Sequence, residues 1–228
     1  MKKWIPLIII VILMVMAYVS GVTKHLSFGN IKENRQVILS YIDQYPLLMP
    51  LLFIVIYIVM TSLSLPGGAL LSILGGFIFG IPLSTIYVVV GATIGATIIF
   101  LAARTAIGDL LKKKAGPFLA KMESGFKKNA ASYLLFLRLI PLFPFWLVNI
   151  APAFFNVKTR TYLWTTFLGI IPGAYVFTQA GRGLGAIFDS GKDFSVETVF
   201  NIEIKIALVV LALFALIPIF VKRLTHDR

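Results

Sequence analysis

Two arginines, Arg104 and Arg138, stand in or beside long apolar runs, in stretches (Gln44 to Gly108 and Ser124 to Phe188) that contain no Asp or Glu. A guanidinium in hydrocarbon costs at least a few kcal/mol and needs a counter-group. With no carboxylate in the same stretch, the chemistry on offer is recognition of an anion that the protein binds. A guanidinium fork matches phosphate oxygens in a bidentate way, and Asn149, Ser62, Ser64, Thr178 and Gln179 are polar side chains that would add weaker contacts. Other chemistries find no support. Cysteine is absent and the two histidines, His25 and His226, lie near opposite ends, which removes thiol chemistry and any ordinary zinc site. No cofactor is expected: Gly181, Gly183 and Gly185 have no strand before them and no βαβ unit around them. No nucleophile and base, metal ligands or paired carboxylates form a buried set, so the expectation is a protein that is not an enzyme.

The elements that must position these residues follow from composition. Hydrophobic residues make up 59% of the 228 positions and mean hydropathy is +0.94, more than one water-soluble core could hide. The apolar runs are Trp4 to Ser20, Leu47 to Ser62, Pro82 to Ala103, Tyr133 to Phe155, Tyr162 to Ala180 and Ile206 to Val221. They have helical lengths and no strand-type alternation, which points to an all-α polytopic membrane protein. Lys2, Lys3 and the run Ile5 to Ala17 have the form of a signal peptide or of a first span over residues 1–22. Ser27 to Tyr45 and Asp189 to Lys205 read as amphipathic interfacial segments.

Charge decides between six spans and four spans plus two re-entrant hairpins. With hairpins at 47–80 and 133–155 and both termini cytoplasmic, the cytoplasmic pieces include the basic loop 105–132, the link 156–160 and the tails. They carry thirteen Lys and Arg against Asp109, Glu123 and Asp227, with Arg104 and Arg138 near the same interface. The outer pieces carry six bases and six acids. Six full spans would move the lysines of 105–132 outside, against the positive-inside rule. The hairpin reading also accounts for Pro66, Gly67, Gly68, Pro141, Pro144 and Pro152, which would break a helix halfway through the bilayer. The net charge of +12 is thus a topology signal, and no linker is long enough for a nucleic-acid module.

Gly91, Gly95 and Arg104 repeat in spacing as Gly169, Gly173 and Arg182, each set closing a span that follows a broken hairpin. The topology runs those spans in opposite directions, which makes an inverted repeat, and broken helices at matching places in two such halves point to a transporter's midplane site. Close helix packing is the ordinary role of small residues four apart, and it is the expected role of Gly76 and Gly80, Gly91 and Gly95, and Gly169 and Gly173.

Arg138, Pro141, Pro144 and Asn149 form R-x-x-P-x-x-P-x-x-x-x-N, followed by G-x-x-P-G at Gly169, Pro172 and Gly173. With Pro66-Gly67-Gly68, Gly75 to Gly80, Gly91, Gly95 and Arg104, this string over about residues 47–188 resembles the VTT domain of the DedA-like, SNARE-associated Golgi protein family. The resemblance implies two opposed re-entrant hairpins, a first span over residues 1–22 that stays uncleaved, a bacterial plasma-membrane location if the chain is bacterial, and movement of phospholipids or polyprenyl-phosphate carriers between leaflets by a scramblase or flippase. Arg138, Pro141, Pro144 and Asn149 match the family's hairpin positions. The chain departs where many members carry acidic residues in the first hairpin, having Ser62, Ser64, Pro66, Gly67 and Gly68 instead, and it has Ala153 where a glycine is common.

The expectation is a lipid transporter with Arg138, Asn149, Ser62, Ser64, Arg104 and Gln179 in contact with substrate, and the lipid bilayer and its phosphate lipids as partners. A homo-oligomer is compatible with the sequence. Two other readings stand beside it. A gradient-driven small-solute or ion carrier would want a titrating intramembrane carboxylate or histidine; an assembly or homeostasis factor would show no flux of its own. Arg138 also has a plain reading as a snorkelling residue about 10 Å deep, and Arg104 as a positive-inside residue.

Overall fold

A computed structural model describes residues 34–65, 67–106, 117–139 and 144–190, with Ile12, Ile202 and Ile206 as isolated positions. The first span (1–22), most of the outer segments, Pro66, Pro141 and the final span lie outside the described residues. Among the described residues all regular structure is helical: α1 (Arg35–Gln44), α2 (Leu48–Ser62), α3 (Gly68–Phe79), α4 (Leu83–Ala106), α5 (Pro117–Leu139), α6 (Phe145–Phe154) and α7 (Thr159–Ser190). Among the described residues one stretch, Leu83–Thr105, is long and apolar enough to cross a membrane.

The α2 helix shows why water is the wrong solvent. Leu48, Leu51, Leu52, Val55, Ile56 and Val59 form an exposed apolar stripe, while Phe53, Tyr57 and Met60 are buried on the other face. A helix that is apolar all round belongs in a protein core or in lipid. On α7, Leu163, Trp164, Phe167, Leu168 and Ile171 are likewise exposed. Before α2, the chain bends by 112° from α1.

Glycines set the directions. A Cβ at Gly91 would lie 2.9 Å from Tyr57 Cβ and one at Gly95 2.6 Å from Thr61 Cβ, so α2 and α4 run parallel at close range. Between them α3 must return. Phe53 meets Gly75 and Phe79, and the Tyr57 hydroxyl meets Gly68 and Ser72, which makes α2 and α3 antiparallel arms of a helical hairpin. Its turn has Ser64 at φ 51° and Gly67 at φ 146°. The arms, of 15 and 12 residues, span about 22 and 18 Å.

A second hairpin follows. The α5 helix breaks at Asn129 (φ −159°, ψ 94°), whose Oδ1 accepts from the Ser132 N–H at 3.1 Å and caps the restarted helix. From Pro117 on, the expected basic loop is therefore helix up to that cap. Phe126 stacks on Phe155 and Arg138 meets Asn149, so α5 and α6 are antiparallel. Pro152 does not end α6; it lies buried inside it. The long helices α4 and α7 are themselves antiparallel, with Thr85 against Thr178, Ala96 against Tyr162, and Arg104 against Thr159. The hairpins consequently come from opposite ends of the α4–α7 pair.

One offset relates the halves. Gly169 minus Gly91, Gly173 minus Gly95 and Arg182 minus Arg104 all give 78, and moving α2, α3 and α4 by 78 lays them over the part of α5 that follows its break, over α6 and over α7. The packing exchanges accordingly: α3 lies on α7 and α6 lies on α4.

Two packing expectations change. Gly80 has φ 65° and no atom near its would-be Cβ, so it is a backbone-conformation glycine ending α3 and not a contact glycine. Gly173 likewise has nothing within 4 Å, while Gly169 is held tightly.

Candidate functional site at Arg138

Arg138 lies in the last turn of α5, and its side chain reaches two neighbouring helices. Its Nη1 donates to Asn149 Oδ1 on α6 at 2.7 Å. Its Nη2 donates to the Tyr162 hydroxyl at 2.9 Å and to Thr166 Oγ1 at 3.0 Å, both on α7. Tyr162 and Thr166 are one turn apart and therefore share a helix face. The guanidinium carbon also lies 5.5 Å from the Tyr162 ring centroid and 5.7 Å from that of Phe145, within cation–π range.

The approach of α5 to α7 depends on Gly169, where a Cβ would fall 2.7 Å from Arg138 Cβ. Tyr162 is fully buried and stacked on Phe100 of α4 at 4.2 Å, and its hydroxyl faces both Ala96 O (3.1 Å) and Asn149 Oδ1 (3.2 Å). Four helices thus meet at one phenol. Asn149, at 0% exposure, has its orientation fixed because two donors converge on Oδ1.

The polar contacts of the guanidinium are neutral, and donors are left over. Among the described residues, buried Arg138 Nε and Asn149 Nδ2 have no hydrogen-bond partner. A cation with one unspent donor beside an amide with another has the chemistry to meet an oxygen acceptor, best an anionic one. The three bonds from Nη1 and Nη2 also mean that a bidentate grip is not open as the molecule stands, because the edge made by Nε and Nη2 is half taken by α7.

Other residues singled out from sequence lie elsewhere. Arg104, exposed at the end of α4, has Nη1 3.2 Å from Thr159 Oγ1 and 3.4 Å from Val157 O, where α6 passes into α7. Ser62 is buried and donates to Ile58 O of its own helix at 2.7 Å. Ser64 is in the turn of the first hairpin, its buried Oγ without a partner among the described residues. Gln179 belongs to a different cluster: its Nε2 donates to Tyr175 at 2.8 Å, near the Thr85–Thr178 hydroxyl pair on the α3 side. From Thr166 to Gln179 is about 20 Å along α7. Of the six candidate contact residues, only Arg138 and Asn149 touch. Reasoning from sequence missed Tyr162 and Thr166, although a tyrosine and threonine four apart at the start of an apolar run could have flagged a polar face.

The first half holds no copy of this site. At the 78-residue offset, Arg138, Asn149 and Thr166 correspond to Met60, Leu71 and Val88, all buried within one apolar cluster.

Apolar outward faces, a bilayer-length helix and a half-buried arginine held by neutral groups define a helical membrane protein with a cationic site between its helices. The family model for the VTT domain matches residues 65–183, and the chain belongs to this DedA-like, VTT-domain family. It is 30% identical over 194 residues to transmembrane protein 41B of Mus musculus, a match covering 83% of this chain and 64% of that protein. Human transmembrane protein 41B is 28% identical over the same length, and the transmembrane protein 41 homolog of Dictyostelium discoideum is 28% identical over 201 residues, covering 86% of this chain and 58% of its own. The chain therefore spans somewhat under two thirds of the length of these relatives. No solved structure matches.

Proposed function

We propose that the protein moves phosphate-headgroup lipids between leaflets, as a scramblase or flippase and without covalent chemistry. The observation that carries this reading is the Arg138 site: a guanidinium with only neutral partners, beside the unspent donors Arg138 Nε and Asn149 Nδ2. A phosphate must cross about 30 Å of hydrocarbon while its acyl tails stay in lipid, so a few polar groups at depth suffice.

The membrane placement that goes with it has four spans and two opposed re-entrant hairpins in an inverted repeat. The α2, α3 and α6 helices, of 15, 12 and 10 residues, are each too short for a crossing, and the hairpins come from opposite ends of the α4–α7 pair. Basic segments put both termini in the cytoplasm, with the plasma membrane as location in a bacterium. Because the chain is naturally free of thiols, Lys113→Cys can be labelled alone; it reacts from the cytoplasmic side, and external labelling would overturn this topology.

The functional test is a leaflet assay on purified protein in liposomes with fluorescent phospholipids, comparing wild type, Arg138→Ala and Arg138→Lys. Wild type carries flux and both variants lose most of it, lysine because it keeps the charge but not the fork. Equal flux in all three refutes the arginine's role. No flux in wild type favours an assembly or homeostasis factor.

A further inference from the structure

We propose that Arg138 is a ligand-operated latch: the bonds that tie the second hairpin to α7 are the same donors that a phosphate needs, so binding the anion releases the hairpin. The inference rests on the lipid reading above and concerns how that site is regulated.

The geometry sets up a competition. Nη2 spends its two hydrogens on Tyr162 and Thr166 of α7, and Nη1 reaches Asn149 of α6. One side chain therefore joins both arms of the hairpin to the long helix behind them. An arriving phosphoryl oxygen first meets Arg138 Nε–H and the Asn149 amide, the donors without partners among the described residues. To close a two-point grip along the Nε–Nη2 edge it must take Nη2 from Tyr162 or Thr166. An anionic acceptor wins that exchange, because its charge adds a Coulombic attraction to the guanidinium that a neutral hydroxyl lacks. Had the arginine been paired with a carboxylate, a phosphate would have had no such advantage.

The packing lets the latch open. Across from Arg138 stands Gly169, so α5 meets a bare backbone there and not an interlocking side chain. The ring of Tyr162 stays anchored by Phe100 and its hydroxyl keeps Ala96 O as a partner when the guanidinium leaves. Tyr162 thus keeps a partner both with the anion and without it.

Latch and plain binding pocket give opposite signs for one substitution. If Thr166 were simply a ligand contact, Thr166→Val would weaken binding. As a competitor for Nη2, its loss strengthens binding of a soluble phosphomonoester lipid, dihexanoyl phosphatidic acid, by roughly ten- to a hundredfold, the value of one hydrogen bond to a charged group. Tyr162→Phe, which keeps the ring, shifts affinity the same way and serves as the second variant should the first not fold. In wild-type protein in detergent, this lipid should also speed hydrogen–deuterium exchange of the amides in residues 145–154, with no such effect in Arg138→Lys. Weaker binding by both variants, or slower or unchanged exchange in residues 145–154 while wild type still carries lipid flux, overturns the latch and leaves the transport reading standing. Absence of both flux and binding in wild type overturns the two together.

Discussion

Gly169 and Gly173 stand four apart on one helix and look equivalent in the sequence, yet their surroundings give alanine opposite effects. A Cβ at Gly169 would sit 2.7 Å from Arg138 Cβ and 3.1 Å from its Cγ, whereas at Gly173 it would meet nothing within 4 Å. Carbon atoms rest at roughly 3.5–4.0 Å, so Gly169→Ala must part α5 from α7 by about 1 Å. The obstructing atoms are next to the backbone, and a rotamer change cannot relieve them. Moving Arg138 by that distance stretches its bonds to Tyr162 and Thr166, now 2.9 and 3.0 Å, past hydrogen-bonding distance.

Overpacking costs about 1–3 kcal/mol, and weakening a charged donor's bonds adds to it. Against this stands about 1 kcal/mol gained from the better helix propensity of alanine. The net loss for Gly169→Ala is about 2 kcal/mol, which for a chain of this size lowers the thermal midpoint by roughly 4–8 °C. Gly173→Ala collects the propensity gain alone, so its midpoint holds or rises by about 2–4 °C. Thermal melts of the two variants in the same detergent, followed by circular dichroism, decide the matter. Equal shifts, or a larger loss at Gly173, would refute the packing of α5 on α7 and with it the arginine's partners.

Other outcomes follow from the same geometry. Asn149→Asp places a carboxylate 2.7 Å from the guanidinium; the pair neutralises the site, and lipid flux falls by about tenfold or more while the protein stays folded, as size-exclusion and leaflet assays would show. Gly80→Ala costs roughly 1–3 kcal/mol through backbone strain alone, since φ 65° with ψ −172° suits glycine and no atom lies near the new methyl; an unchanged melt would contradict that conformation. Flux should be flat between about pH 5.5 and 8, because no Asp, Glu or His occurs from Ser124 to Phe188 to titrate there. A sigmoidal pH profile would instead favour a proton-coupled carrier.

How much of this could be read beforehand depends on which physics sets each feature. Hydropathy and charge placement are properties of the chain itself, and they indicated an all-helical membrane protein with interrupted runs near Pro66 and Pro144. The turn at Ser64 and Gly67 was legible for the same reason, because glycine's conformational freedom is local. Arg138 and Asn149 were legible as a pair through their motif and the absence of acids. What pairs with them was not, because Tyr162 and Thr166 reach Arg138 only through the crossing of α5 over α7, a tertiary fact. Spacing could not separate Gly169, a contact, from Gly173, which is open. Gln179 shares the polar character of the site but stands several turns away along α7, and composition holds no information on that distance.

The offset of 78 residues makes the two halves alike in backbone and unlike in chemistry. Met60, Leu71 and Val88 fill in the first half the places that Arg138, Asn149 and Thr166 take in the second, and they pack in one apolar cluster. The first hairpin is still pinned across its arms, by the Tyr57 hydroxyl at 3.1 Å from Gly68 O and 3.0 Å from Ser72 Oγ, so a cationic cross-link is not required to hold such a hairpin together. A neutral pin serves at lower desolvation cost. The second hairpin bears the more expensive arginine, about one turn further along its first arm than the position equivalent to Tyr57, with donors left over. Stability alone does not account for that choice, and the comparison internal to the molecule is therefore the strongest argument that Arg138 is there for something that binds.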